Sequence, residues 1–292
     1  MQRLISLHHL THTMNRFFIT LIFFICINSV QAQYFHLSLF GGSSNYQGDL
    51  QDKKFTFQQS HVAFGAGVLY EISDRFFARA NFTIGTISAD DKLAAKNTTR
   101  NLNFTSKLTD IHLGVEYLFI NLYDHKLAPY VFAGISGYHF NPYTTAAGSS
   151  TKVYLQPLGT EGQGFYKGKE KYNLNQIAIP FGGGIKFAVN DNLRLGFEIG
   201  LRKLLTDYID DVSTDYVPQA ILLSNAGQQT VDFAVRGDEI SPARPYPTTS
   251  LTRGNPKSKD WYYFSGIILN YRIDPDQLKG RNKHVKTGCP GL

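Results

Sequence analysis

Apolar side chains recur at every second position in many short stretches of this chain, and this alternation constrains the fold most. In residues 76–85, for example, Phe76, Ala78, Ala80, Phe82 and Ile84 alternate with mostly polar or small residues. A two-residue period predicts a β-strand, because successive side chains point to opposite faces of a sheet. The pattern predicts eight strands, at 34–41, 62–72, 76–85, 110–119, 129–140, 176–189, 193–202 and 261–273.

The connections between these strands alternate between short and long. Short turns are predicted at 73–74, 121–127 and 190–192. The long connections fall at 43–61, 87–105, 141–175 and 206–259. An even strand count with this alternation is typical of outer-membrane barrels, whereas soluble sandwiches have shorter strands and long connections at both ends. We therefore predict an all-β fold, an eight-stranded antiparallel transmembrane β-barrel with short periplasmic turns and long extracellular loops.

The N-terminal residues have the features of a secretory signal peptide. Arg16 precedes an apolar run at 17–27, and Val30 and Ala32 occupy the small-residue positions of a cleavage site. The run is too short to span a bilayer as a helix. Residues 1–13 fit this pattern poorly and are interpreted as an upstream start. The predicted organisation is a signal peptide at 1–32, a barrel at 33–274 in the outer membrane of a Gram-negative bacterium, and a periplasmic tail at 275–292.

Charge and cysteine content exclude several classes of protein. The formal net charge of +6 is modest and scattered, without a basic helix or aromatic RNA-binding motif, so nucleic acid is not an expected partner. Cys26 leaves with the signal peptide, so Cys289 remains alone and a disulfide framework is excluded.

No catalytic or cofactor motif stands out along the chain. The histidines lack metal-binding spacing, and the glycines at 182–184 lie within a strand rather than before a helix. A loop base such as His61 near Asp210 or Asp211 is conceivable, but no sequence motif completes such a site. We expect a protein that is not an enzyme and has no cofactor.

The charged residues of the strands are predicted to fill the lumen, with the apolar faces in contact with outer-membrane lipid. If Arg79 faced lipid near the midplane it would cost roughly 2 to 4 kcal/mol. Turned inward, it can pair with Glu71, Glu116 or Glu198. A lumen packed with side chains in this way makes a free pore a weaker hypothesis. The predicted polar lumen network comprises Glu71, Arg79, Asn81, His112, Glu116, Lys186, Arg194, Glu198 and Arg202.

Two turn-rich acidic stretches follow the first and seventh predicted strands, at 41–50 and 206–212. One interpretation is a latch, in which these carboxylates pair with Arg202 or Lys203. The other is a cation site, since Asp-rich loops supply the oxygen ligands that calcium prefers. The candidate rim residues are Asn45, Tyr46, Gly48, Asp49, Asp207, Tyr208, Asp210 and Asp211.

The C-terminal tail is basic and is predicted to lie in the periplasm. It is either a solvated end or a docking segment for an acidic partner. Its candidate contact residues are Lys279, Arg281, Lys283, Lys286 and Cys289.

Several stretches together resemble one family. FGGSSNYQGDL at 40–50, IAIPFGGGIKF at 177–187, TDYIDDVSTDY at 206–216 and the terminal Cys-Pro resemble the PorG-like outer-membrane barrels of Bacteroidota. The resemblance covers about residues 34–290. It implies an eight-stranded barrel whose namesake belongs to the type IX protein secretion apparatus and contacts a periplasmic ring made of PorK and PorN.

Two hypotheses about function follow. The first is a structural component that anchors or stabilises the secretion complex through periplasmic contacts. The second is a general small barrel, similar to OmpA or OmpX, for envelope integrity or surface adhesion. Deleting residues 274–292 should release the ring proteins in the first case and have no effect in the second.

Overall fold

The computed structural model describes residues 34–51, 53, 55–94, 97–247 and 251–273. Within these residues nine strands form one antiparallel sheet. They are β1 Phe35–Gln47, β2 His61–Glu71, β3 Phe76–Asp90, β4 Asn103–Leu118, β5 Leu127–Thr145, β6 Lys152–Tyr154, β7 Asn175–Ala188, β8 Leu193–Leu204 and β9 Trp261–Ile273.

Eight of these strands close into a barrel. β1 pairs with both β2 and β9, β5 pairs with both β4 and β7, and every neighbouring pair is antiparallel. The short β6 pairs only with the end of β5 and lies outside the barrel. The predicted fold, a closed eight-stranded antiparallel barrel, is therefore confirmed.

The two ends of the barrel differ in their connections. The periplasmic end has the short turns at 72–75, 119–126 and 189–192, together with the first residue of β1 and the last residue of β9. The extracellular loops, at 48–60, 91–102, 146–174 and 205–260, form a layer that we call the cap. The cap contains β6, two single 3-10 turns at Asp91–Leu93 and Gly237–Glu239, and the helices α1 Leu155–Leu158, α2 Gln219–Ala226 and α3 Gln228–Ala234. None of the helices in the described residues has the length and apolar composition that a membrane-spanning helix requires.

The outer wall of the barrel carries a continuous belt of exposed apolar side chains. Leu39 is 56% exposed and Ile111 is 55% exposed, although both lie mid-strand. Apolar area costs about 25 cal/mol per Å² in water, so a belt of this size is stable only against lipid. The barrel is thus an outer-membrane protein. Belt residues include Leu37, Leu39, Val68, Phe82, Ile84, Ile111, Leu113, Val115, Ile135, Ile185, Leu195, Phe197 and Ile267.

The strands continue beyond the predicted boundaries, and the polarity of their two faces reverses there. β3 extends to Asp90, and β4 begins at Asn103, so both occupy sequence that had been predicted as the loop at 87–105. In these extensions Ile87 and Leu108 face inward and are buried, whereas Lys107 faces outward. The extracellular part of the wall therefore has an apolar interior and a polar exterior, as expected for a sheet that has left the membrane and entered water.

Candidate functional site

The lumen contains three layers of buried polar side chains. In the layer nearest the periplasm, His36 Nε2 lies 3.0 Å from Glu71 Oε2, and Tyr123 donates hydrogen bonds of 2.8 and 2.9 Å to the two oxygens of Glu71. The Arg194 guanidinium lies over the rings of Phe77 and Tyr123, at 5.6 and 5.3 Å. This layer closes the periplasmic mouth of the barrel.

The middle layer is organised around Arg79. Its two terminal nitrogens donate to the two oxygens of Glu198, at 3.0 and 3.1 Å. Nη1 also lies 3.5 Å from Glu116 Oε2, and Lys186 donates to the other oxygen of Glu116. Tyr130 donates a 2.7 Å hydrogen bond to Glu198. These side chains join strands on opposite sides of the lumen.

Two neighbours complete the surroundings of Arg79. Its guanidinium lies 4.0 Å from the centroid of the Phe132 ring. In the amide orientation that satisfies its hydrogen bonds, Asn81 accepts from Arg79 Nη2 at 2.8 Å. Arg79 is only 5% exposed, and its charge is balanced inside the barrel.

The upper layer pairs Arg202 with Asp110. Arg202 Nη2 lies 3.4 Å from Asp110 Oδ1, and Tyr262 donates a 2.7 Å hydrogen bond to Asp110 Oδ2. The buried ring of His112 has no hydrogen-bond partner among the described residues and packs on Phe132 at 5.5 Å. The predicted lumen network did not include Asp110, Tyr130 or Tyr262, although the inward position of Asp110 in the strand alternation could have indicated it.

Aromatic side chains seal the barrel above these layers. Phe140 stacks on Tyr172 at 5.9 Å, and Tyr172 stacks on Tyr208 at 5.0 Å. Tyr46 packs edge-on against Phe104 at 4.9 Å. The apolar inner faces of the strand extensions thus form a second core beneath the cap.

The two acidic rim motifs meet in the cap. Tyr46 donates a 2.5 Å hydrogen bond to Asp210 Oδ2 and lies 3.5 Å from Asp260 Oδ1. Asp210 Oδ1 accepts from the backbone of Val212 at 3.0 Å. A Cβ atom on Gly48 would lie 1.9 Å from Asp260 Oδ1, so this close approach requires glycine.

The other rim residues hold neighbouring segments of the cap. Asp49 accepts from the backbone of Asn255 at 2.8 Å, and Asp207 accepts from Ser213 at 2.8 Å. Asn45 accepts a hydrogen bond from Ser60. Each of these contacts joins residues within the extracellular end of the protein.

The cations that balance the rim carboxylates come from loops. Arg100 donates to Asp91 at 2.7 Å and to the carbonyl of Asp49 at 2.9 Å. Arg253 donates to Glu161 at 3.0 Å and to the carbonyl of Asp211 at 2.5 Å. Loops without a periodic pattern gave no signal that would single out Arg100, Glu161 or Arg253.

The predicted latch partners are wrong. Arg202 is bound to Asp110 in the lumen, below the rim. Lys203 is on the outer wall, with its ammonium 5.8 Å from the centroid of the Trp261 ring. Neighbouring strand residues face opposite sides of the wall, so Lys203 cannot reach inward.

Burial raises the pKa values of several cap carboxyls. It raises the pKa of Asp207 to about 6, with a hydrogen bond from Ser213 opposing the shift. It raises the pKa of Asp211 to about 6 despite the nearby Arg253. The pKa values of Asp210 and Asp260 are raised well above the usual range by burial and by neighbouring carboxylates. The cap thus contains a group of carboxyls that favour protonation.

The sequence left open a cation site at the rim and a loop base at His61. Among the described residues, no group of three or more His, Cys, Asp or Glu side chains is arranged to hold a metal ion. His61 Nε2 lies 2.7 Å from Ser88 Oγ, but in the part of the chain that the structure describes His61 donates no hydrogen bond to a carboxylate. In a catalytic pair of this kind, with Ser88 as nucleophile and His61 as base, a third group is needed to orient the base.

The periplasmic end has a small cavity between the turns at 119–126 and 189–192. It measures about 250 Å³, and its lining includes Tyr123, His125, Lys126, Asp191 and Arg194. The tail residues Lys279, Arg281, Lys283, Lys286 and Cys289 lie outside the described residues, as does the predicted signal peptide.

Residues 15–222 match a family model described as a domain of unknown function, DUF6089. No curated protein sequence matches the chain at a significant level.

Several solved barrels are similar to this chain. Ail from Yersinia pestis is 9% identical, with a TM-score of 0.40, over 83% of this chain and 100% of Ail. Neisserial surface protein A is 10% identical, with a TM-score of 0.41, over 82% of this chain and 97% of its own. OprG from Pseudomonas aeruginosa is 9% identical, with a TM-score of 0.36, over 82% of this chain and 96% of OprG.

Proposed function

We propose that this chain, which belongs to the DUF6089 family of unknown function, is a non-enzymatic outer-membrane barrel that anchors or stabilises the type IX protein secretion complex. It would do so as a PorG-like component, through periplasmic contacts with ring proteins of the PorK and PorN type. Residues 275–292 and the periplasmic turns would supply these contacts.

The filled lumen is the observation that carries a structural role. Glu198, Arg79 and Glu116 are all buried and bond across the barrel, and the aromatic layer closes the lumen above them. A barrel of eight strands with such an interior offers no passage for a polypeptide. Its contribution to a secretion complex must therefore come from its surfaces.

The periplasmic surface has features that fit a protein partner. The cavity between the turns at 119–126 and 189–192 combines apolar walls at Leu122 and Val189 with polar groups on His125, Lys126 and Asp191. Apolar surface bordered by polar residues is typical of protein interaction sites. The basic tail predicted from the sequence follows β9 and so begins at this same end.

The motifs that carry the PorG resemblance also act together. Tyr46 and Gly48 from the first motif contact Asp210 and Asp260, and Asp210 belongs to the second motif. Their shared role in holding the cap gives a physical reason for both motifs to occur in one chain. They lie far from the proposed periplasmic contacts, so they support the resemblance without being part of the partner surface.

The test is co-purification of PorK- and PorN-type proteins with the tagged full-length chain from its own host. Deleting residues 274–292 is expected to reduce their recovery, and Lys126→Glu is expected to weaken it further. Lys203→Glu, on the opposite half of the wall, is the control and should leave recovery unchanged. Folding of each variant is checked by the change in gel mobility of the barrel on heating.

The outcomes separate the parts of the proposal. If the full-length chain recovers no ring protein and its deletion leaves secretion of type IX cargo intact, the secretion role is wrong. If recovery is unchanged by both variants, the contact is not made by the tail and turns.

A second candidate function is envelope integrity or surface adhesion, as in other small outer-membrane barrels. The folded cap favours it, because Phe57 is 81% exposed and Phe55 is 63% exposed on the first extracellular loop. Exposed aromatic side chains of this kind are common at interaction surfaces. Replacing both by serine should then reduce adhesion of cells to their target surfaces while cargo secretion continues.

A further inference from the structure

A groove of about 340 Å³ opens on the outer wall of the barrel, along β5 and between β4 and β7. Two rows of outward-facing residues line it. The lower row is Ile111, Gly137 and Ile177, and the upper row is Thr109, His139 and Asn175.

The groove exists because Gly137 has no side chain in a row of large ones. Gly137 pairs with Ile111 on one side and with Ile177 on the other. These isoleucines are 55% and 50% exposed and form the two walls. A Cβ atom on Gly137 would meet no other atom within 4 Å, so the floor between them is open.

The groove lies where the outer wall changes from apolar to polar. Below it, Leu113 and Ile135 form another pair in the lipid-facing belt. In the upper row, His139 Nδ1 lies 2.8 Å from Asn175 Oδ1, which leaves Nε2 of the ring available to a ligand. One outward position above Thr109, the exposed Lys107 adds a positive charge.

We propose that this groove binds one lipid of the outer leaflet. An acyl chain lies along Gly137 between the two isoleucines, and an anionic phosphate headgroup contacts His139 and Lys107. The groove is continuous with the lipid-facing belt, so membrane lipid reaches it without displacing protein. At the described outward positions of β4, β5 and β7 above the groove no residue is acidic, so nothing there repels a phosphate. A point charge such as Lys is a common phosphate ligand.

The binding site can be tested by filling the groove. Gly137→Phe places a ring in open space and should leave the barrel folded. Gly41→Phe is the matched control, because a Cβ atom on Gly41 also meets nothing within 4 Å and lies in the belt next to Phe64 and Ile267. Native mass spectrometry of the detergent-solubilised barrel, after incubation with phosphatidylglycerol, measures bound lipid.

We expect a one-lipid adduct with the unsubstituted protein and with Gly41→Phe, and its loss with Gly137→Phe. Equal adducts in both glycine variants, or equal loss in both, would overturn the groove as a lipid site. Lys107→Gln and a parallel incubation with diacylglycerol test the headgroup. We expect the adduct to require both the phosphate and Lys107, and equal binding of the two lipids would overturn the headgroup contact.

Discussion

Tyr46, near the end of the first strand, donates a 2.5 Å hydrogen bond to Asp210, which lies 164 residues later in the longest extracellular loop. The bond is buried, and the same hydroxyl accepts from the backbone of Leu50 at 3.4 Å. Tyr46 thereby connects the barrel wall, the first loop and the last loop. We interpret it as the residue that attaches the cap to the barrel.

Tyr46→Phe should loosen the cap without unfolding the barrel. Tyr46→Phe leaves the buried Asp210 carboxyl without this hydrogen-bond partner, which costs about 1 to 3 kcal/mol. Hydrogen exchange of residues 205–214 should therefore become faster, while exchange in β3 stays unchanged. Tyr154→Phe is the control, since Tyr154 is 46% exposed in the cap. Equal exchange in the Tyr46 variant and the unsubstituted protein would contradict the role of this bond.

The raised pKa values of the cap carboxyls predict that the closed cap weakens as pH rises. Asp207 and Asp211 have pKa values of about 6 in the folded cap, against an ordinary value of 3.8. The folded cap therefore holds protons that the open loops release, so its stability is greatest at low pH and falls from about pH 4 upward through pH 6. For the fully buried Asp211 the difference corresponds to at most roughly 3 kcal/mol. Asp210 and Asp260 extend the effect to higher pH.

This pH dependence can be measured by hydrogen exchange of residues 205–214 and 251–260, corrected for the intrinsic rate at each pH. Protection should be greater at pH 5 than at pH 8. Asp207→Asn removes one titrating group and should reduce the difference, whereas Asp238→Asn, at an exposed position, should not. Protection that increases with pH would show that these carboxyls stabilise the cap in their ionised form.

The central part of each barrel strand was predictable because lipid on one side and a polar lumen on the other impose a single alternation. The strand extensions were not predictable from that alternation. Ile87 and Phe104 are inward and apolar, and they keep the two-residue period but reverse its sign. A pattern that requires apolar residues to face outward assigns such segments to loops.

The contacts between the rim residues could not be predicted from the sequence. Tyr46 and Asp210 were recognised as unusual from their turn-rich, acidic surroundings, but their mutual contact depends on how the loops fold together. The cations are the clearest case, since Arg100 contacts the carbonyl of Arg253 from 153 residues away. Neither arginine lies on a strand, so no periodicity relates them to the carboxylates that they balance.

The reversal of polarity along β4 predicts where the membrane ends. Leu113 is outward in the lipid-facing belt, and Lys107 is outward six residues nearer the cap, a separation of about 20 Å along a strand. With the two native cysteines replaced by serine, Lys107→Cys should react with a membrane-impermeant maleimide in intact vesicles. Leu113→Cys should react only after detergent is added. Equal labelling of both before detergent would show that this part of the wall is not covered by lipid.

The buried ion pair between Arg79 and Glu198 should be strongly coupled. Arg79→Met leaves Glu198 and Glu116 without their shared cation, and breaking a buried pair in this way costs about 3 to 5 kcal/mol. Glu198→Gln alone should also destabilise the barrel. Combining the two changes should cost less than the sum of the single effects, because the double variant leaves less uncompensated charge in the lumen.

Urea unfolding in phospholipid vesicles can measure this coupling, with Trp261 as the only tryptophan in the chain. Lys203→Met is the control, since this lysine faces outward next to Trp261 and has no part in the lumen network. The Lys203→Met variant shows whether replacing a cationic side chain by itself changes the fluorescence of Trp261. Additive single effects would mean that Arg79 and Glu198 contribute independently, and that the lumen is held by packing of the aromatic residues around them rather than by charge pairing.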